Sequence, residues 1–158
     1  MVTDNPAMPS LASSKDHRVS KTVGDVMTSK VTFLNAMDKF ADAVNLMGKH
    51  EFHHCVVVDA NSEPIGVLSD RDVFRGLSRG EKWQDKKIGE IMTHSPITVT
   101  SDTKLVDALG KMIGRGVHCL PVVRPGRSVI VGILTCTDLL RSFQTSLESL
   151  ATIEQDAG

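Results

Sequence analysis

A chain whose second half repeats its first can fold only into something each half can build twice, and this sequence does that visibly. Val23-Gly24-Asp25-Val26-Met27-Thr28 matches Ile88-Gly89-Glu90-Ile91-Met92-Thr93 at an offset of 65 positions (27 to 92). The offset persists through Ala43-Val44 and Ala108-Leu109, Met47 and Met112, His53 and His118, and Val57-Val58 and Val122-Val123. One insertion in the second copy moves it to 66 (72 to 138). Gly66-Val67-Leu68-Ser69 then meets Gly132-Ile133-Leu134-Thr135, and Asp72 meets Asp138. Such a register means two copies of one supersecondary unit.

Both copies read alike. Phe40, Ala43, Val44 and Met47 recur at helical spacing, as do Leu105, Ala108, Leu109 and Met112. Asp38 and Thr103 stand where helix N-caps belong. Strands are predicted over Val31–Leu34, Cys55–Asp59 and Ile65–Leu68, and over Ile97–Thr100, Cys119–Val123 and Ile130–Leu134. A short helix opens each unit. A helix closes it, over Asp72–Leu77 in one and from Asp138 through Phe143 onward in the other. A unit of this size is marginal alone, so two are expected to share a core, sheet against sheet, about a pseudo-two-fold axis. The fold class is α/β (α+β). The expected organisation is a disordered tail over 1–20, repeats over 21–80 and 81–145, and a helical extension and tail over 146–158. The linker Ser78–Asp85 reads as an exposed connection.

Each second strand runs into Gly-apolar-apolar-Ser/Thr-x-x-Asp: Gly66 to Asp72, and Gly132 to Asp138. A strand leading into a helix presents free N–H groups and a positive dipole end, which suit an anion. A hydroxyl there can donate to phosphate, and a carboxylate one turn on can accept from ribose hydroxyls. The simpler reading is a capping box, Ser69 or Thr135 with Asp72 or Asp138. It predicts the same residues with no ligand at all.

With these segments, Asp25-Val26-Met27-Thr28, Glu90-Ile91-Met92-Thr93 before Pro96-Ile97-Thr98-Val99, and His118-Cys119-Leu120-Pro121-Val122-Val123, the chain resembles a tandem pair of CBS (cystathionine beta-synthase) domains, a Bateman module. The resemblance covers roughly 22–143. It implies a regulatory sensor of AMP, ADP or ATP that is not an enzyme, or else an S-adenosylmethionine binder or a ligand-free dimerisation scaffold. It implies that Asp72 and Asp138 hold ribose, that Ser69 and Thr135 hold phosphate, and that Thr32 and Phe33, or Ile97 and Thr98, flank adenine. His53 and His118, at matching positions, fall at the cleft edge. No cofactor is obligatory, and the nucleotide binds with or without Mg²⁺. A homodimer and a separate protein target are expected. Val31 stands where the second copy has Pro96, and Val56 where it has Pro121, so the second cleft is the safer expectation.

Other readings carry less. His50, His53, His54 and Cys55 are clustered, but alternate side chains of a strand face opposite ways, and no metal site is assigned. Cys136 near a helix start is a reactive-thiol candidate. Arg71 and Arg75 read as a solvated helix face. The net charge of −1 and an aromatic content of 4% argue against nucleic acid. No apolar run reaches a membrane span, and 1–20 lacks the apolar stretch of a secretory signal. The expected location is cytoplasmic.

Overall fold

In the computed structural model, residues 21–80 and 82–156 are described; the expected N-terminal tail, 1–20, lies outside them. The first unit runs β1 (Phe33–Asn35), α1 (Phe40–His50), β2 (His54–Val58), β3 (Pro64–Ser69) and α2 (Asp70–Leu77). After β4 (Thr93–His94), the second runs β5 (Val99–Thr100), α3 (Leu105–Arg115), β6 (Cys119–Val123), β7 (Ile130–Thr135) and α4 (Cys136–Asp156). Short 3₁₀ turns, Val23–Asp25 and Ile88–Glu90, open the two units. The mixed α/β class expected from the sequence is what the chain adopts.

In each unit the first strand lies parallel to the second, and the second antiparallel to the third. The helical stripes supply the cores. Phe40, Ala43 and Met47 pack with Leu68 and Ile88 in the first, and Ala108 and Met112 with Leu120 and Leu134 in the second. A third cluster, with Val56, Val67, Cys119 and Ile133, joins the two sheets face to face. Burying these β-branched faces against each other is what makes two marginal units one stable body.

The opening segments are exchanged. β4 pairs with β3, adding a fourth strand to the first unit's sheet. Thr28, its repeat counterpart, bridges to Ile133 in the second unit's sheet. Gly24 donates to the Ser101 carbonyl at 2.8 Å, and Gly89 to the Ala36 carbonyl at 2.9 Å. Met27 lies over Gly132 and Met92 over Gly66, filling the space a side chain would take. Each unit's core is thus closed by a residue from ahead of the other unit: Val23 in the second, Ile88 in the first.

Several local expectations are corrected. α1 and α3 start from Lys39 and Lys104, neither with a side-chain cap. Asp38 and Thr103 bond backward instead, to the Asn35 and Thr100 amides, both at 3.1 Å, and close the preceding turns. β1 and β5 are shorter than predicted, because parallel pairing begins only at Phe33 and Val99. The linker is not wholly exposed. Trp83, in the turn Trp83–Asp85, packs edge-on against Phe40 with ring centroids 6.2 Å apart.

Candidate functional site

The exchange sets the site geometry. α2 and α4 start where their strands end, with Ser69 and Thr135 at the junctions. In both, the capping box is formed. Asp72 Oδ2 accepts from the Ser69 amide at 2.9 Å and its hydroxyl at 2.6 Å. Asp138 Oδ2 accepts from the Thr135 amide at 2.8 Å and its hydroxyl at 2.7 Å. These carboxylates are the buried charged residues of the described core, 3% and 6% exposed. Burial without such donors would be costly.

The second oxygen is wired differently in each copy. Arg75 donates to Asp72 Oδ1, whereas Asp138 Oδ1 takes the Thr28 hydroxyl at 3.0 Å, from the opening segment of the other unit. Thr28 is a functional candidate that sequence reasoning passed over. Its signal was present, a hydroxyl after Met in both copies (Thr28 and Thr93), but it served only to mark the repeat.

Two clefts open between the units. The first, of about 310 Å³, is lined by Ser69, Arg71, Asp72 and Arg75 from the first unit, and by Thr93, Pro96, Ile97 and His118 from the second. The second, of about 570 Å³, is lined by Thr135, Cys136, Asp138 and Arg141, and by Thr28, Lys30, Thr32 and His53 from the first unit. Each cleft therefore combines the hydroxyl–carboxylate pair of one repeat with the strand approach of the other. Ser69, Asp72, Ile97 and His118 come together in one, and Thr135, Asp138, Thr32 and His53 in the other. Phe33 and Thr98 line neither. In extended chain, neighbours alternate sides, so Thr32 and Ile97 face the clefts and the next residues do not.

His54, Asp70 and His118 line both clefts and form their common wall. Burial holds the His54 imidazole below its ordinary range, against the opposing pull of Asp70 and with His118 and His53 adding to the depression. His53 Nδ1 lies 3.3 Å from Asp70 Oδ2 at an exposed position. Cys55 and Cys119 are buried, and burial pushes their thiols up to about 11 and about 12. Cys136 is exposed. Among the described residues, no three His, Cys, Asp or Glu side chains gather as metal ligands. Among them, too, no helix is long and apolar enough to cross a membrane.

Chemically, each cleft offers cationic side chains (Arg71 and Arg75, or Lys30 and Arg141), a buried carboxylate and an apolar lip, beside a helix start whose hydroxyl donates to that carboxylate. That set suits an anionic group, a polyhydroxylated ring and a flat apolar ring on one ligand.

The CBS domain profile matches residues 23–79 and 88–145. An uncharacterised 17.7 kDa protein of Acidianus ambivalens is 28% identical over 120 residues, 76% of this chain and 71% of that one. Among solved structures, the CBS domain pair of protein MJ0100 in complex with 5′-methylthioadenosine and S-adenosylmethionine superposes with a TM-score of 0.72 at 25% identity, covering 80% of this chain and 98% of that one. CBSX2 of Arabidopsis thaliana in complex with AMP superposes with a TM-score of 0.70 at 28% identity, covering 79% and 97%.

Proposed function

Because the chain belongs to the CBS domain family, as a tandem pair, we propose that it is a cytoplasmic regulatory module that binds an adenine nucleotide between its repeats. It is a sensor rather than an enzyme, works as a homodimer, and reports occupancy to a separate protein. The observation that carries this reading is the composite cleft: a hydroxyl–carboxylate pair from one repeat facing the strand approach of the other, built twice. Ribose hydroxyls fit the Asp138 and Asp72 carboxylates, phosphate draws the Thr135 and Ser69 hydroxyls away from them, and adenine lies toward Thr32 and Ile97. Lys30 and Arg141 add two cations to the larger cleft, which favours AMP, ADP or ATP there, with or without Mg²⁺.

The smaller first cleft favours a second ligand class. Its carboxylate is already paired with Arg75, and the MJ0100 pair holds 5′-methylthioadenosine and S-adenosylmethionine. S-adenosylmethionine fits that cleft, its carboxylate taking the place of phosphate beside Ser69 and Arg71. The experiment is a thermal-shift titration of the full chain with AMP, ADP, ATP, S-adenosylmethionine and adenosine, each with and without Mg²⁺. Saturation a hundredfold above Kd contributes about 2.7 kcal/mol, which for a chain of this length raises Tm by roughly 5–10 °C. No shift with any adenine ligand at millimolar concentration leaves the dimerisation scaffold as the function.

A further inference from the structure

The two clefts are built from matching side chains, yet those side chains are wired in opposite ways. Each copy supplies a hydroxyl, an aspartate three residues on and an arginine three further on: Ser69, Asp72 and Arg75 in the first, Thr135, Asp138 and Arg141 in the second. The opening segment of the other repeat adds a threonine, Thr93 to the first cleft and Thr28 to the second. Among the described residues, the side chains that donate to Asp72 are Ser69 and Arg75, with Arg75 on Oδ1. Those that donate to Asp138 are Thr135 and Thr28, with Thr28 on Oδ1. Arg141 lines its cleft clear of the carboxylate, as Thr93 does in the other. The arginine can leave without disturbing the core, because Asp72 is 4% exposed and Arg75 56%.

A guanidinium donates and never accepts. On Oδ1 it meets an incoming ribose hydroxyl donor to donor and neutralises the charge that hydroxyl seeks. A threonine hydroxyl in the same place can turn and accept from the ribose. An anion on the ligand reverses the balance, because a guanidinium grips phosphate or carboxylate through two parallel hydrogen bonds. We propose that Arg75 is a specificity latch on the first cleft, holding Asp72 from ribose until the ligand's own anion draws it away and Thr93 takes its place. Anion and ribose recognition are then coupled in the first cleft and independent in the second, where Arg141 already stands clear. The first cleft selects adenosine derivatives that carry an anionic group, and the second takes adenosine itself as well. The latch rests on the adenine-ligand reading proposed above and assigns ligand choice within it to one residue.

Calorimetric titration of the full chain, one cleft at a time, tests it. Asp138→Ala silences the second cleft, and Asp138→Asn, which keeps the side chain's shape, replaces it if the alanine protein does not fold. In that background Arg75→Gln keeps helix propensity. It should tighten adenosine and 5′-methylthioadenosine by roughly two- to fivefold, the weight of a partly exposed ion pair. It should weaken AMP and S-adenosylmethionine by about tenfold. In the second cleft, read in an Asp72→Ala background, Arg141→Gln should weaken AMP and leave adenosine unchanged. Opposite movement of the two ligand classes in the first cleft distinguishes a latch from its rivals. An arginine that only binds the anion would leave adenosine unchanged, and a merely structural one would weaken every ligand. Either result overturns the latch and leaves the adenine site standing. A wild-type chain that binds none of these ligands at millimolar concentration overturns the adenine site, and the latch with it.

Discussion

Adding one methyl group at Gly132 tests the exchanged architecture most directly. A Cβ there would lie 2.6 Å from Met27 Sδ and 3.0 Å from the Thr28 carbonyl oxygen. The methionine is flexible and can swing away, but the carbonyl cannot. It accepts from the Ile133 amide at 2.9 Å, and the Thr28 amide donates back to the Ile133 carbonyl at 3.0 Å. Relieving the clash therefore means opening the bridge by which the first repeat closes the second repeat's sheet. Overpacking of a closed site costs about 1–3 kcal/mol. With the bridge strained as well, Gly132→Ala should lie at the upper end, near 2–3 kcal/mol. For a chain of this length Tm should fall by roughly 5–10 °C in differential scanning calorimetry. Gly110→Ala is the control. It lies within α3, a Cβ there meets nothing within 4 Å, and relief of glycine's backbone entropy should raise stability by about 0.5–1 kcal/mol. Because Thr28 also donates to Asp138, Gly132→Ala should weaken nucleotide binding too. A Gly132→Ala protein that melts within a degree of wild type, beside a Gly110→Ala protein that behaves as expected, would refute the reasoning.

Four further outcomes follow from the site. Asp138→Ala strips the acceptor from the Thr135 and Thr28 hydroxyls, costs about 1–3 kcal/mol of stability, and should weaken adenosine and AMP binding alike in calorimetric titration. Thr135→Val should hurt AMP more than adenosine, and equal losses would remove the phosphate role. At mildly alkaline pH an alkylating reagent should modify Cys136 alone, since Cys55 and Cys119 are buried with raised thiol pKa values. Saturating nucleotide should slow that reaction, and peptide mapping showing equal rates would place the ligand elsewhere. His54 is held neutral by burial, so as pH falls below about 6.5 the unfolded chain takes the proton first. Stability from this source is complete above that pH and is lost as pH falls through the window below it. His54→Gln should flatten the decline of Tm between pH 7 and 5, and an unchanged slope would assign the acid sensitivity to other groups.

The repeat made the element order legible before any coordinates, because a duplicated hydrophobic pattern reports each helix and strand twice. What it could not report is which sheet the Met27-Thr28 and Met92-Thr93 segments join. Periodicity is a property of a segment alone, and the partner is decided by which open strand edge lies within reach. The same limit applies to the clefts. Ser69-x-x-Asp72 and Thr135-x-x-Asp138 stood out as local motifs, and both are formed as capping boxes. That Asp138 leans on Thr28, 110 positions away, has no local signature. Trp83 was legible only as a residue in a charged linker, since nothing nearby announces Phe40. Lys39 and Lys104 displaced the more suitable Asp38 and Thr103 as helix starts because those side chains are engaged by the turns before them.

The reciprocal loan of opening segments also bears on ancestry. A lone ancestral repeat would have carried an open sheet edge and a surplus Met-Thr strand, each fitting only another copy of itself. Such a chain closes its core by trading segments with a sister molecule, at a rate set by concentration. Two copies joined through one linker, as here through Ser78–Asp85, make that encounter intramolecular, with the partner always at hand. A change in either opening segment is therefore felt in the other half's sheet and in the cleft beside it.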